Sequence, residues 1–345
     1  MAFSIRHIIP LFCICIILGS CVDTEHFENT PRGNFDALWK IMDQRYCFFE
    51  YKDVNWDRIY VDYSKRVTHN MKDDSLFYLM DEMLQELKDG HVNLYSPFDI
   101  GRYWKWFEDY EPNFYLPLVE KEYLGTNYRI AGGIRYTVLS DSLGYMYYGD
   151  FSSGLGELNL DYILYSLSKC RGIIIDVRDN GGGMLSNADK LASRFFEDKT
   201  LTGYIQHKTG PGHNDFSKPF AKYVEPSVRF RYLKPVVVLT NRRCYSATND
   251  FVNSMRYAPY VTIMGDQTGG GGGLPLSSEL PNGWSVRLSA CPGFDASMQQ
   301  VEFGIQPDVY VKLDEKEIQK GRDTIIEAAR AFLNSQSNSG KSFDR

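Results

Sequence analysis

The chain has 345 residues, of which 43% are hydrophobic and 24% are charged, a balance typical of a globular protein with a substantial core. This composition excludes disordered, collagen-like and multi-span membrane proteins. A formal net charge of −6, without a cluster of lysine and arginine, argues against nucleic acid as a partner.

The first twenty residues have the pattern of an export signal. A short basic start precedes an apolar run over residues 8–18, which is too short to span a bilayer. The sequence LGSC that ends at Cys21 resembles a bacterial lipobox, which implies cleavage before Cys21 and lipidation of its thiol. An ordinary buried helix is the alternative. We therefore predict a signal peptide at residues 1–20, a tether at 21–33, and a lipid anchor that holds the protein to a membrane of the cell envelope.

The cysteines beyond Cys21 are widely spaced. They are Cys47, Cys170, Cys244 and Cys291. No C-x-x-C pair occurs, which argues against a zinc ribbon or a thioredoxin-like site. Buried free thiols are the favoured interpretation, and one or two disulfides are the alternative in an exported protein.

Residues 34–98 have the apolar spacing of amphipathic helices and predict a small helical N-terminal domain. One stripe consists of Phe35, Leu38, Trp39 and Met42, and a second consists of Leu76, Leu79, Met80, Met83, Leu84 and Leu87. We expect Asp74 or Ser75 to cap the second helix and Gly90 to end it.

Residues 99–143 form a connecting segment that is rich in aromatic rings, most densely at 103–107. Packing between domains is the favoured interpretation of these rings. A hydrophobic cleft or lid for peptide side chains is the alternative.

Residues 144–335 alternate between strand and helix patterns, which predicts an α/β layer with buried parallel strands. The predicted strands cover 145–149, 172–177, 235–239, 260–264 and 285–289, and the predicted helices cover 158–167, 186–196, 247–257 and 323–333. We expect residues 336–345 to be a flexible tail.

Several familiar sites are excluded by spacing. The glycines at 269–273 lack the Lys-Ser/Thr pair of a phosphate loop, and the glycines at 181–183 do not complete a dinucleotide fingerprint. There is no G-x-S-x-G elbow and no H-E-x-x-H motif. His207 and His213 lack the neighbours of a metal site. We predict neither a metal nor an organic cofactor.

Two strand ends carry polar residues that suit acyl transfer. Asp176, Arg178 and Asn180 precede the glycines at 181–183, whose backbone N–H groups could face an oxyanion. We expect Asp176 and Arg178 to form a structural ion pair. Ser246 opens a predicted helix, where a serine is commonly an N-cap, but the same position favours the negative charge that develops at a nucleophile.

The order of these motifs resembles the S41 peptidases, which comprise C-terminal processing proteases and tricorn-like proteases. The motifs are DVRDNGGG, TNRRCYSA, GDQTGG and GIQPDV, and the resemblance spans about residues 34–98 and 144–312. It implies a ClpP/crotonase-like α/β core and serine-dependent peptide cleavage. The connecting segment is too short for the PDZ domain of the family, so we expect that domain to be absent or vestigial.

Two positions depart from the family pattern. Gly271 stands where the processing proteases have the lysine of their Ser–Lys dyad. The tricorn-like branch uses a Ser–His pair instead, with a downstream glutamate, and often has a serine just before the histidine. Gly90 stands at that serine position.

The resemblance to the tricorn-like branch implies a set of catalytic roles. Ser246 would be the nucleophile, His91 the general base, and Glu302 the carboxylate that orients the imidazole directly or through another hydroxyl. The backbone N–H groups of Gly182 and Ala247 would form the oxyanion hole.

The sequence therefore predicts a lipid-anchored serine endopeptidase that acts on peptides or unfolded proteins. A catalytically inactive S41 fold that binds peptides or hydrophobic ligands is the alternative, and the missing lysine favours it. A subunit of a polysaccharide or peptide uptake system is a third interpretation, which only the anchor favours. The oligomeric state is left open.

Overall fold

The computed structural model describes residues 26–338, so the predicted signal peptide and Cys21 lie outside the described residues. The helices are α1 (Pro31–Arg45), α2 (Trp56–Ser64), α3 (Asp73–Gln85), α4 (Lys105–Glu108), α5 (Leu116–Leu118), α6 (Glu157–Ser166), α7 (Leu185–Ala192), α8 (Ala247–Met255), α9 (Glu315–Gln319) and α10 (Thr324–Asn338). A π-helical turn follows α5 at Val119–Leu124, and a 3-10 turn follows α7 at Ser193–Phe195.

The strands of the described region form two sheets. They are β1 (Asn93–Tyr95), β2 (Ile100–Arg102), β3 (Arg129–Ala131), β4 (Ile134–Val138), β5 (Gly144–Tyr147), β6 (Ile173–Asp176), β7 (Thr200–Ile205), β8 (Phe220–Val224), β9 (Val236–Thr240), β10 (Val261–Gly265), β11 (Gly273–Glu279), β12 (Ser285–Asp295) and β13 (Val309–Tyr310). The larger sheet has the order β13-β10-β9-β6-β5-β4-β3. The smaller sheet has the order β2-β1-β12-β7-β8, with β11 paired to β12.

The centre of the larger sheet is parallel and is buried on both faces, as its continuous apolar runs predict. Strands β5, β6, β9, β10 and β13 are parallel neighbours. One face packs against α6, α7 and α8 through residues such as Leu164, Leu191 and Phe251. The other face packs against α10 through Ile325 and Ala329. The predicted α/β layer is confirmed.

The N-terminal helices share a core with the smaller sheet. Phe35 on α1 and Met80 on α3 belong to the same buried cluster as Val286 and Leu288 on β12. Helix α1 begins inside the predicted tether, because Thr30 caps it by accepting a hydrogen bond from the N–H of Gly33.

The predicted ends of the second helical stripe are wrong. Helix α3 begins at Asp73, and no side chain caps it, so neither Asp74 nor Ser75 has that role. The helix ends at Gln85, well before Gly90.

The connecting segment contributes strands to both sheets. Strand β2 lies at one edge of the smaller sheet, and β3 and β4 extend the larger sheet as antiparallel strands. Among the described residues, the segment therefore builds sheet edges rather than a separate PDZ domain.

A buried ion-pair network braces the carboxyl end of β6. The guanidinium of Arg178 lies 2.6 Å from Asp176 and 3.0 Å from Asp323, and all three side chains are inaccessible to solvent. The hydroxyl of Tyr145 also donates a hydrogen bond of 2.7 Å to Asp176. The expected structural ion pair is present, with Asp323 as a further partner.

The described cysteines are free. Cys47, Cys170 and Cys244 are buried, and Cys291 is half-buried, so free thiols are the correct interpretation. Across residues 26–338, no helix combines the length and apolar character that a membrane crossing requires.

Candidate active site

Two loops meet where the adjacent parallel strands β6 and β9 end. The N–H of Tyr245 donates to the carbonyl of Asn180 at 3.2 Å, and the hydroxyl of Thr248 donates to the side-chain oxygen of Asn180 at 2.6 Å. The N–H of Asp179 donates to the side-chain oxygen of Asn241 at 3.0 Å. These bonds hold the glycine-rich loop after β6 against the first turn of α8.

Ser246 lies at the junction between this loop and α8 in a strained conformation. Its φ and ψ angles are 57° and −121°, and its side chain makes no hydrogen bond to the helix N-terminus. A positive φ in a non-glycine residue costs on the order of 1–3 kcal/mol and is often found at functional sites. Ser246 therefore occupies the N-cap position of α8 without capping it through its side chain, and it lines a cavity.

Several backbone N–H groups next to Ser246 or on the same cavity wall have no internal acceptor among the described residues. The N–H of Ala247, the first in α8, has no acceptor among the described residues, and neither do those of Gly181 and Gly183, which line the cavity. The N–H of Gly182, in contrast, donates to the side-chain oxygen of Asn180 at 3.0 Å. Of the two amides that were assigned to the oxyanion hole, only that of Ala247 lacks an internal acceptor.

Gly182 contributes to this arrangement through its small size. Its φ is 102°, and a Cβ atom there would lie 2.7 Å from the carbonyl oxygen of Tyr245 and 2.9 Å from the Cβ of Ser246. Any larger residue would push the loop away from the nucleophile position.

His91 lines the same cavity and lies just before β1. The side chain is 3% exposed, and neither ring nitrogen has a partner within hydrogen-bond geometry among the described residues, although the backbone of Gly273 lies close enough to oppose the lowering of the His91 pKa. Its backbone N–H donates to Asp89 at 2.8 Å, and its ring packs edge-on against Tyr245 at 4.9 Å between centroids. A buried imidazole with unpaired nitrogens is neither a surface group nor a helix cap.

The environment keeps His91 neutral. Burial lowers its pKa to about 4, the nearby positive charges of Arg287 and Lys52 act in the same direction, and the carboxylate of Asp89 opposes them. At neutral pH the imidazole is therefore a free base that can accept a proton.

Glu302 lies behind the cavity wall rather than on it. It is 4% exposed, forms an ion pair of 2.7 Å with Lys52, and accepts a hydrogen bond of 2.9 Å from the N–H of Gly272. No hydrogen bond joins it to His91. Burial and the charge of Asp89 raise the pKa of Glu302 to about 7, against the opposing effect of Lys52.

Lys52 connects Glu302 to the His91 loop. Its ammonium also lies 3.3 Å from Asp89, so two buried carboxylates share one cation. Asp89 in turn accepts hydrogen bonds from the hydroxyls of Tyr46 at 2.9 Å and Ser289 at 3.0 Å. Sequence reasoning missed Lys52 and Asp89, because nothing in the local pattern distinguishes a buried charge from an exposed one.

The aromatic segment forms part of the cavity wall. The cavity has a volume of about 570 Å³, and Trp104, Trp106 and Phe107 contribute apolar surface to it. Trp106 stacks on Tyr245 with 4.1 Å between ring centroids. The rings therefore pack against the site and also line its cavity.

The same stack explains both departures from the family pattern. A Cβ atom on Gly90 would lie 2.6 Å from the indole nitrogen of Trp106, and one on Gly271 would lie 2.5 Å from the ring of Tyr245. Neither a serine at 90 nor a lysine at 271 fits unless these rings move.

Residues 26–338 contain no group of three or more His, Cys, Asp or Glu side chains that could hold a metal ion. The ring of His213 instead pairs with Asp43 at 2.9 Å, and the ring of His207 lies 3.4 Å from the thiol of Cys291.

Known proteins share both the sequence and the fold of this chain. The sequence profile of peptidase family S41 matches residues 142–311, and that of the tricorn protease C1 domain matches residues 27–85. A solved structure of a candidate peptidase from Parabacteroides merdae is 57% identical, with a TM-score of 0.87 over 91% of this chain and 100% of that chain. The chain belongs to peptidase family S41.

Other S41 relatives are more distant. A carboxy-terminal-processing protease of Bartonella bacilliformis is 27% identical over 159 residues, which are 46% of this chain and 35% of that protein. The chain thus spans about a third of the length of this curated relative. The crystal structure of the tricorn protease is 16% identical, with a TM-score of 0.53 over 89% of this chain and 37% of that one, which shows a shared fold.

Proposed function

We propose that this S41 protein is a serine peptidase that hydrolyses peptide bonds in peptides or unfolded proteins. One observation carries the proposal. Ser246 stands at a helix N-terminus without capping it through its side chain, and the imidazole of His91 is buried with no partner in hydrogen-bond geometry. Both residues line the same cavity. A nucleophile, a neutral base and unpaired N–H donors are the groups that acyl transfer requires.

In the proposed mechanism, the Oγ of Ser246 attacks the substrate carbonyl while His91 accepts the hydroxyl proton. The N–H of Ala247, with that of Gly181 or Gly183, stabilises the oxyanion, and Gly182 holds the loop in place. His91 then passes the proton to the leaving amine, and water hydrolyses the acyl-enzyme by the reverse transfers.

Glu302 completes the proposed triad as a positioning residue. It shares Lys52 with Asp89, and Asp89 holds the backbone of His91. Glu302 would thus hold the imidazole of His91 in position through Lys52 and Asp89, without contacting the ring itself. Hydrogen bonds between catalytic groups often become short only when substrate is bound.

A serine-directed phosphonate tests the proposal. We expect it to modify wild-type protein at Ser246, as located by peptide mass spectrometry, and to leave a Ser246→Ala variant unmodified. Equal melting temperatures of the two proteins would establish that the variant is folded. If folded wild-type protein resists modification yet still binds peptides, the inactive alternative is correct.

The pH dependence of kcat/KM tests the state of His91. Because the pKa of His91 lies near 4, we expect the acid limb near pH 4 and nearly full activity at pH 5.5. A histidine of ordinary pKa would lose about 90% of its free-base form at that pH. A limb near 6.5 would contradict the lowered pKa of His91, although it would still be compatible with a histidine base. A limb near 7 that Glu302→Gln abolishes would instead show that the charge of Glu302 is required.

We further propose that the protein is anchored in the cell envelope through Cys21. The LGSC sequence before the polar segment supports this location. Incorporation of labelled palmitate by the expressed full-length chain, and its loss in Cys21→Ala, would support the anchor.

A further inference from the structure

Tyr245 is the residue before Ser246, and its backbone is fixed by the loops that form the site. Its N–H donates to the carbonyl of Asn180 at 3.2 Å, and its carbonyl accepts a hydrogen bond of 3.0 Å from the N–H of Thr248. A Cβ atom on Gly182 would lie 2.7 Å from that carbonyl oxygen, so the glycine-rich loop packs directly on it. The backbone of Tyr245 is therefore held in the same frame as the nucleophile position.

The side chain of Tyr245 reaches from this frame to the loop that carries His91. Its ring packs edge-on against the imidazole with 4.9 Å between the ring centroids. Its hydroxyl oxygen lies 2.9 Å from the place that a Cβ atom on Gly90 would take. Burial raises the pKa of Tyr245, and the N–H of Gly90 opposes that effect, as expected of a donor close to the phenol oxygen. One side chain thus contacts both the proposed base and the residue before it.

Two neighbours hold the Tyr245 ring in place. Trp106 stacks on it with 4.1 Å between the ring centroids. A Cβ atom on Gly271 would lie 2.5 Å from the ring, so the absence of a side chain at that position leaves room for the tyrosine. The side chain of Tyr245 is 6% exposed. A buried ring that is packed in this way has little freedom to move and transmits its position to the groups it touches.

The imidazole of His91 depends on such a contact, because no hydrogen bond orients its ring. Neither ring nitrogen has a partner in hydrogen-bond geometry among residues 26–338, and Asp89 holds the backbone N–H of His91 rather than the ring. We propose that Tyr245 is a positioning residue that sets the distance and the orientation of the His91 imidazole relative to Ser246. This inference rests on the proposed peptidase function.

Loss of the Tyr245 ring should lower kcat rather than raise KM. We expect Tyr245→Ala and Tyr245→Leu to lower kcat for a fluorogenic peptide by about 100-fold, because a displacement of about 1 Å between reacting groups has an effect of that size. Tyr245→Phe keeps the ring and loses only the contact of the hydroxyl with Gly90, so its kcat should stay within about tenfold of the wild type. In all three variants KM should change by less than about threefold.

Tyr232→Ala is the matched control for the loss of a buried tyrosine. Tyr232 is 2% exposed, does not line the cavity, and donates a hydrogen bond of 3.0 Å from its hydroxyl to the carbonyl of Cys170. Its replacement should lower the melting temperature but leave kcat within about twofold at a temperature where the protein is folded.

Melting curves would show which variants are folded at the assay temperature, and Tyr245→Leu serves if Tyr245→Ala is not. The inference would be overturned if folded Tyr245→Leu kept more than about a tenth of the wild-type kcat. It would also be overturned if Tyr245→Phe were no more active than Tyr245→Leu, or if Tyr232→Ala lost as much kcat as they do.

Chemical modification of His91 tests the contact without requiring catalysis. Diethyl pyrocarbonate acylates neutral imidazoles, and peptide mass spectrometry would follow His91 and the exposed His207 in the Ser246→Ala background. We expect His91 to react at least about tenfold more slowly than His207, because Tyr245 covers its ring. Adding Tyr245→Leu should raise the rate at His91 by about tenfold, whereas adding Tyr245→Phe should leave it unchanged.

The modification rates separate this inference from the proposed function. If the wild type cleaves no peptide, but Tyr245→Leu still accelerates the modification of His91, the contact between Tyr245 and the imidazole stands and the peptidase is refuted. If the wild type cleaves peptides, but His91 reacts at the same rate whichever residue is at position 245, the peptidase stands and the positioning role of Tyr245 is refuted.

Discussion

Replacement of His91 by alanine is expected to lower kcat/KM for a peptide substrate by about 10³-fold or more. The imidazole is the proposed proton acceptor for Ser246, and no other histidine lines the cavity formed by the described residues. Loss of the base would leave the oxyanion donors and substrate binding as the remaining sources of rate enhancement. Steady-state assays with a fluorogenic peptide would measure the effect.

His207→Ala is the matched control for this experiment. His207 is exposed, and its ring contacts Cys291 outside the cavity, so its loss should leave kcat/KM within about twofold of the wild type. Melting temperatures would separate a catalytic effect from unfolding, since His91→Ala also opens space in a buried region. A folded His91→Ala variant with a tenth or more of wild-type activity would rule out this base.

Replacement of Lys52 by methionine is expected to lower the free energy of unfolding by about 3–5 kcal/mol, the usual cost of breaking a buried ion pair. The Lys52 side chain is 5% exposed, and its partners Asp89 and Glu302 are 0% and 3% exposed. Methionine fills a similar volume but leaves two buried carboxylates without their shared cation. Urea denaturation would measure the change.

The destabilisation by Lys52→Met should grow with pH. The pKa of Glu302 is raised to about 7 in the folded protein, so this group binds its proton more tightly in the folded than in the unfolded chain. Its contribution to stability is therefore present at low pH and is lost as the pH rises through 7. Without Lys52 the cost of ionising Glu302 increases. The free energy of unfolding of the variant should therefore fall further below that of the wild type at pH 8 than at pH 6.

Lys199→Met provides the control for charge removal. Lys199 pairs with Glu225 on the surface, where the two side chains are 55% and 65% exposed. Its replacement should leave the free energy of unfolding unchanged at both pH values. The account of the buried network would be wrong if Lys52→Met and Lys199→Met changed the free energy of unfolding by the same amount.

The α/β core could be predicted because its central strands are buried on both faces and therefore read as unbroken apolar runs, such as 173–175 and 236–239. Helix boundaries were less predictable. Helix α2 was missed although Trp56, Ile59, Tyr60 and Tyr63 follow helical spacing. Gly90 was misassigned as a helix end, because its small size serves the packing of Trp106 instead.

Within the site, Ser246 could be proposed because it lies in the TNRRCYSA motif, and His91 because it lies where the tricorn-like branch carries its base. The structure brings both to one cavity. Lys52 could not be proposed, because only its burial between two carboxylates sets it apart.

The two glycines that break the family pattern lie against the same pair of stacked rings. Tyr245 and Trp106 occupy the space that larger residues at 90 and 271 would need. The missing lysine is therefore compatible with a site that uses a buried neutral histidine instead.

The crystal structure of the phosphonate adduct is the most direct test of the central claim that Ser246 and His91 act as nucleophile and base. We predict phosphorus bonded to the Oγ of Ser246, a phosphoryl oxygen about 2.7–3.1 Å from the N–H of Ala247, and a His91 nitrogen about 2.6–3.2 Å from Oγ. An adduct in which the imidazole remains beyond hydrogen-bond reach of Oγ and of the leaving-group position, with no intervening water, would contradict the account.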